Sequence, residues 1–75
     1  MIFSLRIKQL RLQHNLTQEQ MCERLYMDQS AYSRYEKGIS NPSATLLLLV
    51  SNEFNVSIDW LLKDIPNQNK TEIDK

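Results

Sequence analysis

One cysteine, one histidine and one glycine are all that this 75-residue chain holds of three residue types on which small catalytic and metal sites are commonly built. A lone Cys22 excludes an intrachain disulfide and reads as a small core residue, and His14 has no second His or Cys pair at metal-ligand spacing. A single Gly leaves little material for a phosphate-cradling loop. No paired carboxylates and no nucleophile with its base can be assembled, so the expectation is a non-enzyme without metal or cofactor. Long apolar runs are also missing. The longest, Leu46 to Val50, is too short to span a bilayer, and the opening MIFSLRIKQ lacks a signal peptide's apolar stretch, so a cytoplasmic protein with no membrane partner is expected. In that setting the Asn-x-Ser/Thr triplets at Asn15, Asn55 and Asn69 are coincidences.

The last absence is an excess of charge. Nine Lys and Arg balance nine Asp and Glu, whereas a dedicated nucleic-acid binder is expected to be basic. The distribution is uneven, however. Residues 1 to 38 hold six basic groups (Arg6, Lys8, Arg11, Arg24, Arg34, Lys37) against four acidic (Glu19, Glu23, Asp28, Glu36), and residues 39 to 75 hold three against five.

What is present is helical pattern. The length allows one small domain, whose core is marginal unless helices pack efficiently or a partner helps. Thr17 to Gly38 read TQEQMCERLYMDQSAYSRYEKG. Thr17 with Gln20 three residues on forms a capping box, so a helix of about two turns starts there, with Met21, Cys22 and Leu25 on its apolar edge. Tyr26 and Met27 break the period. Asp28 then caps a helix from Gln29 to about Lys37, and Gly38 stops it by accepting positive φ. On this helix Tyr32 and Tyr35 face inward, whereas Gln29, Ser30, Ser33, Arg34 and Lys37 share the opposite side. A polar stripe is usually just a wetted surface. Here it lies on the second of two helices joined by a tight turn, the geometry that sets a helix in the DNA major groove. Gln pairs with adenine and Arg with guanine in bidentate fashion, so the stripe carries the right donors and acceptors.

The flanks complete an all-α bundle of five short helices. A first helix is expected from about Ser4 to His14, with Phe3, Ile7 and Leu10 as its buried line. After the loop composition of Ile39 to Ser43, Ser43 caps a helix from Ala44 to Phe54 whose core line reads Leu47, Val50, Ser51 and Phe54. Leu46 and Leu49 are then left on other faces. Asn55 suits a left-handed helix end, and Ser57 caps a last helix on which Ile58, Leu61 and Leu62 repeat, with Trp60 as a core anchor. Residues 1–63 thus form the domain, and 64–75, polar and aperiodic, a flexible tail.

Taken with LRIKQLRLQHNLTQEQ before it, ISNPS after it and the closing NVSIDWLL, the segment resembles the phage repressor and Cro type of helix-turn-helix regulator, also called lambda repressor-like, over roughly residues 4 to 63. The matched positions are Arg11, Thr17 with Gln18 and Glu19, Glu36 with Gly38, Pro42, and Val56 to Leu62. The resemblance implies base contacts from Gln29, Ser30, Ser33 and Arg34. It implies phosphate contacts from Gln18, Lys37, Ser40 and Asn41, and a partly buried salt bridge between Arg11 and Glu36. Tyr32, where an aliphatic residue is frequent in the family, is expected either as core or as core with a hydroxyl emerging to a phosphate. Tyr26 stands where the family often has Gly, so a left-handed backbone there would be strained.

The function expected is sequence-specific binding of double-stranded DNA by a transcriptional repressor. With so few cations a monomer would bind weakly, and dimerisation on a two-fold related operator is the remedy. Leu46, Leu49 and Ile65 are the apolar groups available for the two-fold contact. The alternative is a protein-interaction module of the same fold, an antitoxin or anti-regulator subunit, which the zero net charge favours.

Overall fold

A computed structural model of the chain describes residues 2–63, and it is helical throughout, with no strand among the described residues. The helices are α1 (Ile2–Gln13), α2 (Gln18–Leu25), α3 (Gln29–Glu36), α4 (Ala44–Phe54) and α5 (Ile58–Leu62). None of them is long and apolar enough to cross a membrane. The expected tail, Ile65 included, lies outside the described residues.

Side-chain caps decide where four of the five begin. Thr17, Asp28, Ser43 and Ser57 each stand in extended backbone and accept from the N–H three residues on, at 3.1, 2.8, 3.1 and 3.0 Å. At Thr17 the capping box is closed by Gln20 Oε1, which accepts from the Thr17 N–H at 2.9 Å. Each such bond satisfies a helix-terminal donor that has no partner inside the helix.

Four helices also stop by one device, a left-handed residue followed by an apolar one. Asn15, Tyr26, Gly38 and Asn55 have φ of 57°, 57°, 76° and 56°. The N–H of the next residue then reaches back across the last turn: Leu16 to Arg11, Met27 to Cys22, Ile39 to Arg34 and Val56 to Ser51, at 2.9 to 3.2 Å. Asn and Gly adopt this backbone at little cost, whereas Tyr adopts it under strain. The α1 boundaries move for this reason. The helix ends at Gln13, because the chain needs two further residues to reach left-handed Asn15, and at its start it takes in Ile2 and Phe3 ahead of the expected Ser4.

The core gathers Phe3, Ile7 and Leu10 from α1, Met21, Cys22 and Leu25 from α2, Tyr32 from α3, Leu46, Val50 and Phe54 from α4, and Leu61 from α5. On α4 the buried line is thus Leu46, Val50 and Phe54, rotated slightly from the expected Leu47, Val50, Ser51 and Phe54. Leu47 is only partly covered, and the Ser51 hydroxyl donates to the Val56 carbonyl at 2.6 Å. The four-leucine run offers a core residue in any register, so packing against α2 and α5 selects the face. Leu46 is therefore corrected from a dimer contact to a core residue. On α5, Leu61 is buried while Leu62 is 46% exposed. Trp60 is partly covered at the core edge, with the Arg6 guanidinium 4.7 Å above its ring.

Tyr26 is 82% exposed, so its side chain contributes little packing to offset a left-handed backbone. Replacing it by Gly is expected to raise stability by about 1 kcal/mol, read as a higher denaturation midpoint at unchanged m-value. A lowered midpoint would show that contacts of the phenol ring outweigh the backbone strain.

Candidate nucleic-acid interface

The Glu36 carboxylate, in the last turn of α3, is where three helices meet. Arg11 of α1 donates to it twice, Nε to Oε2 at 2.6 Å and Nη2 to Oε1 at 3.3 Å, and its Nη1 donates to the Leu16 carbonyl at 3.1 Å. Gln18 Nε2, at the start of α2, donates to Oε1 at 3.1 Å, and the Tyr32 hydroxyl donates to Oε2. Four donors on two oxygens fill the carboxylate's acceptor sites. The two charged side chains are 13% and 6% exposed, Arg11 first.

Burial by itself would push the Glu36 carboxyl up. The hydrogen bonds from Arg11, Tyr32 and Gln18 outweigh it and hold the group below the usual carboxylate range. The same hydrogen bond holds Arg11 above its ordinary value. Burial, then the bond to Glu36, pushes the Tyr32 phenol up and keeps it a donor. Cys22 is likewise held up, first by burial and then by the surrounding carboxylates, as an inert thiol.

This network corrects one expectation. Tyr32 is fully buried and its hydroxyl is committed to Glu36, so it cannot reach a phosphate. Gln18 keeps one amide N–H beyond the bond to Glu36. Its backbone N–H and that of Glu19 are also left over at the α2 N-terminus, since the capping box uses those of Thr17 and Gln20.

On the outer side of α3, Gln29, Ser30, Arg34 and Lys37 are exposed and Ser33 is half-buried. Ser30 Oγ donates to the cap, Asp28 Oδ1, at 3.2 Å. The loop after α3 returns to the same side: Arg34 Nε donates to Ser40 Oγ at 3.1 Å, and Asn41 beyond it is exposed. From behind, Tyr32 and Tyr35 hold the helix, the latter edge-on to Phe3 with ring centroids 6.0 Å apart.

The cations that composition merely counts are divided by the fold. Arg6 donates to the carbonyls of Trp60 and Lys63 at 2.9 and 3.2 Å, which ties the end of α5 to α1. Arg24 pairs with Glu53 at 3.5 Å and lies over Phe54, and Lys63 stands 3.9 Å from Asp59. Among the described residues this leaves Lys8 and Lys37 without an acceptor, and Arg34 with only a hydroxyl. Two of these three lie on or beside α3. Sequence reasoning missed the structural duties of Arg6 and Arg24, because each acts on a residue far away in the chain.

Residues 7–61 match the sequence model of the helix-turn-helix family. The chain is 44% identical over 62 residues to the HTH-type transcriptional activator BcrR of Enterococcus faecalis, a match covering 83% of this chain and 30% of that protein. It is 39% identical over 67 residues to the uncharacterized HTH-type transcriptional regulator YqaE of Bacillus subtilis, covering 89% and 58% respectively. To the HTH-type transcriptional regulator ImmR of the same organism it is 33% identical over 70 residues, covering 91% and 55%. The chain thus spans between about a third and three fifths of the length of these relatives. No solved structure matches significantly.

Glu36→Gln removes the charge that Arg11 faces in a nearly buried site, which is expected to cost about 3 to 5 kcal/mol of stability. The carboxyl's lowered value sets the sign of the pH dependence. Its contribution is fully present above the unfolded-state value of about 4.3 and is lost as pH falls through the lower folded-state value, because the unfolded chain takes up the proton first. Denaturation midpoints measured across the acid range should fall for the native chain and change less for Glu36→Gln. Equal stability of the two proteins at neutral pH would remove the network from its central place.

Proposed function

Because the chain belongs to the Cro/C1-type helix-turn-helix family, we propose that it binds double-stranded DNA by sequence, with α3 in the major groove, and regulates transcription as a homodimer. The observation that carries this reading is the outer face of α3. A helix pinned from behind by Tyr32, Tyr35 and Glu36 offers Gln29, Ser30, Ser33 and Arg34 to solvent, side chains able to read base edges. Gln18, with its spare amide N–H and the open backbone donors beside it, grips phosphate on one side of the groove. Lys37, Ser40 and Asn41 do so on the other. Contacts of this second kind set register, and the first kind set sequence.

A zero net charge is compatible with this reading because, among the described residues, two of the three cations with neither an acid nor a carbonyl partner, Arg34 and Lys37, lie on or beside α3. They are few, so a single copy would bind weakly, and two copies on one DNA multiply the effect. With Leu46 in the core and Leu49 partly covered, the exposed large apolar groups of α4 and α5 are Leu48, at 54%, and Leu62. The two-fold contact is assigned to them. Occupying a promoter in this way would repress by obstruction.

Selection of bound sites from random duplex DNA is expected to return two-fold related half-sites about one turn, roughly 34 Å, apart. Affinity for them should fall steeply with salt. No binding at low salt would overturn the reading in favour of a module that docks on another protein. Leu48→Glu should yield a monomer that keeps half-site preference but loses the paired spacing. A variant that remains dimeric would move the two-fold contact elsewhere.

A further inference from the structure

We propose that Ser40 is a positioning residue for Arg34: its hydroxyl locks the guanidinium so that the two terminal nitrogens are presented to a guanine edge. The inference rests on the reading of α3 as the base-reading helix. Arg34 is exposed, and an exposed arginine samples many rotamers that binding must freeze out. Here it is tied at both ends. Its backbone carbonyl accepts from the N–H of Ile39 at 2.9 Å and of Ser40 at 3.4 Å, and its Nε donates to Ser40 Oγ at 3.1 Å. The two residues therefore close a small ring, made possible because Gly38, at φ 76°, turns the chain back over the end of α3.

The chemistry follows from which donor is used. With Nε–H engaged, the guanidinium plane is set and Nη1 and Nη2 remain, a parallel pair that matches O6 and N7 of guanine end-on. Ser40 accepts this bond with a lone pair and keeps its own O–H, which can donate to the neighbouring phosphate. A base-reading side chain and a backbone-gripping hydroxyl thus act as one unit, and Ser40 influences specificity without touching a base.

The test uses the full chain, with binding measured on the duplex selected by the native protein and on a mixed-sequence duplex. Ser40→Ala is expected to weaken binding to mixed DNA modestly, through the lost phosphate contact, and beyond that to lower the ratio of the two affinities about tenfold, at an unchanged denaturation midpoint. Repeated selection should relax one G·C pair, the same one relaxed by Arg34→Ala, and Ser40→Thr should restore it. In the Arg34→Ala background, Ser40→Ala should lower the ratio no further. Equal weakening on both duplexes, with a shallower salt dependence, would overturn the proposal and leave Ser40 a phosphate contact only. So would a full loss of discrimination that persists without Arg34.

Nitrogen-15 NMR of the free protein separates this proposal from the functional reading beneath it. The Arg34 Nε–H resonance should be protected from exchange in the native chain and exposed in Ser40→Ala. Protection without any DNA binding would leave the lock standing and remove its purpose, whereas no protection would remove the lock itself.

Discussion

The outer face of α3, the proposed reading face, depends for its placement on one buried carboxylate. Glu36 sits in the last turn of α3, where a negative charge opposes the helix dipole and where burial alone would favour the neutral form. Arg11, Tyr32 and Gln18 reverse that balance with four hydrogen bonds on two oxygens. Since the donors come from α1, α2 and α3, satisfying the charge requires all three helices to be in register. A buried ion pair is weak support for stability as such, but it is intolerant of misplacement, and here that intolerance fixes the angle of α3 against α1 and α2.

Rigidity at the helix ends complements this central tie. Hydroxyl or carboxylate caps start four helices, and left-handed residues followed by apolar ones stop four. Connections of three to seven residues then leave the helices little freedom to rearrange. The loop after α3 uses the same helix stop to bring Ser40 onto Arg34, so local backbone chemistry places a side chain of the proposed reading face. Tyr26 is the departure from the pattern, a bulky exposed residue where the backbone favours Gly or Asn.

Charge shows how composition can mislead about a surface. Nine cations and nine anions cancel in the count, yet Arg6 and Arg11 are taken up in tying α1 to α5 and to α3, and Arg24 in tying α2 to α4. Among the described residues Arg34 and Lys37, both without an acid partner, lie on or beside α3, so the field a polyanion would meet there differs from the total. Glu19 and Glu23 lie exposed on α2 and limit that field on one side.

Most of the architecture was legible along the chain, because helix starts, helix stops and buried lines are written in residues three or four apart. Thr17, Asp28, Ser43 and Ser57 announced the caps, Asn55 and Gly38 two of the stops, and Phe3, Ile7, Leu10, Met21, Cys22 and Leu25 the inner faces of α1 and α2. The polar stripe of α3 was equally visible, and the pairing of Arg11 with Glu36 followed from family resemblance. Tertiary structure alone decided matters in which distant residues compete for one place. It turned Leu46 inward rather than Leu47, closed the Tyr32 hydroxyl onto Glu36, set Arg6 against the end of α5, and laid Ser40 on Arg34. Periodicity says which residues share a side of a helix. Only the neighbours packed against that side determine how far it turns and which polar atom finds which partner.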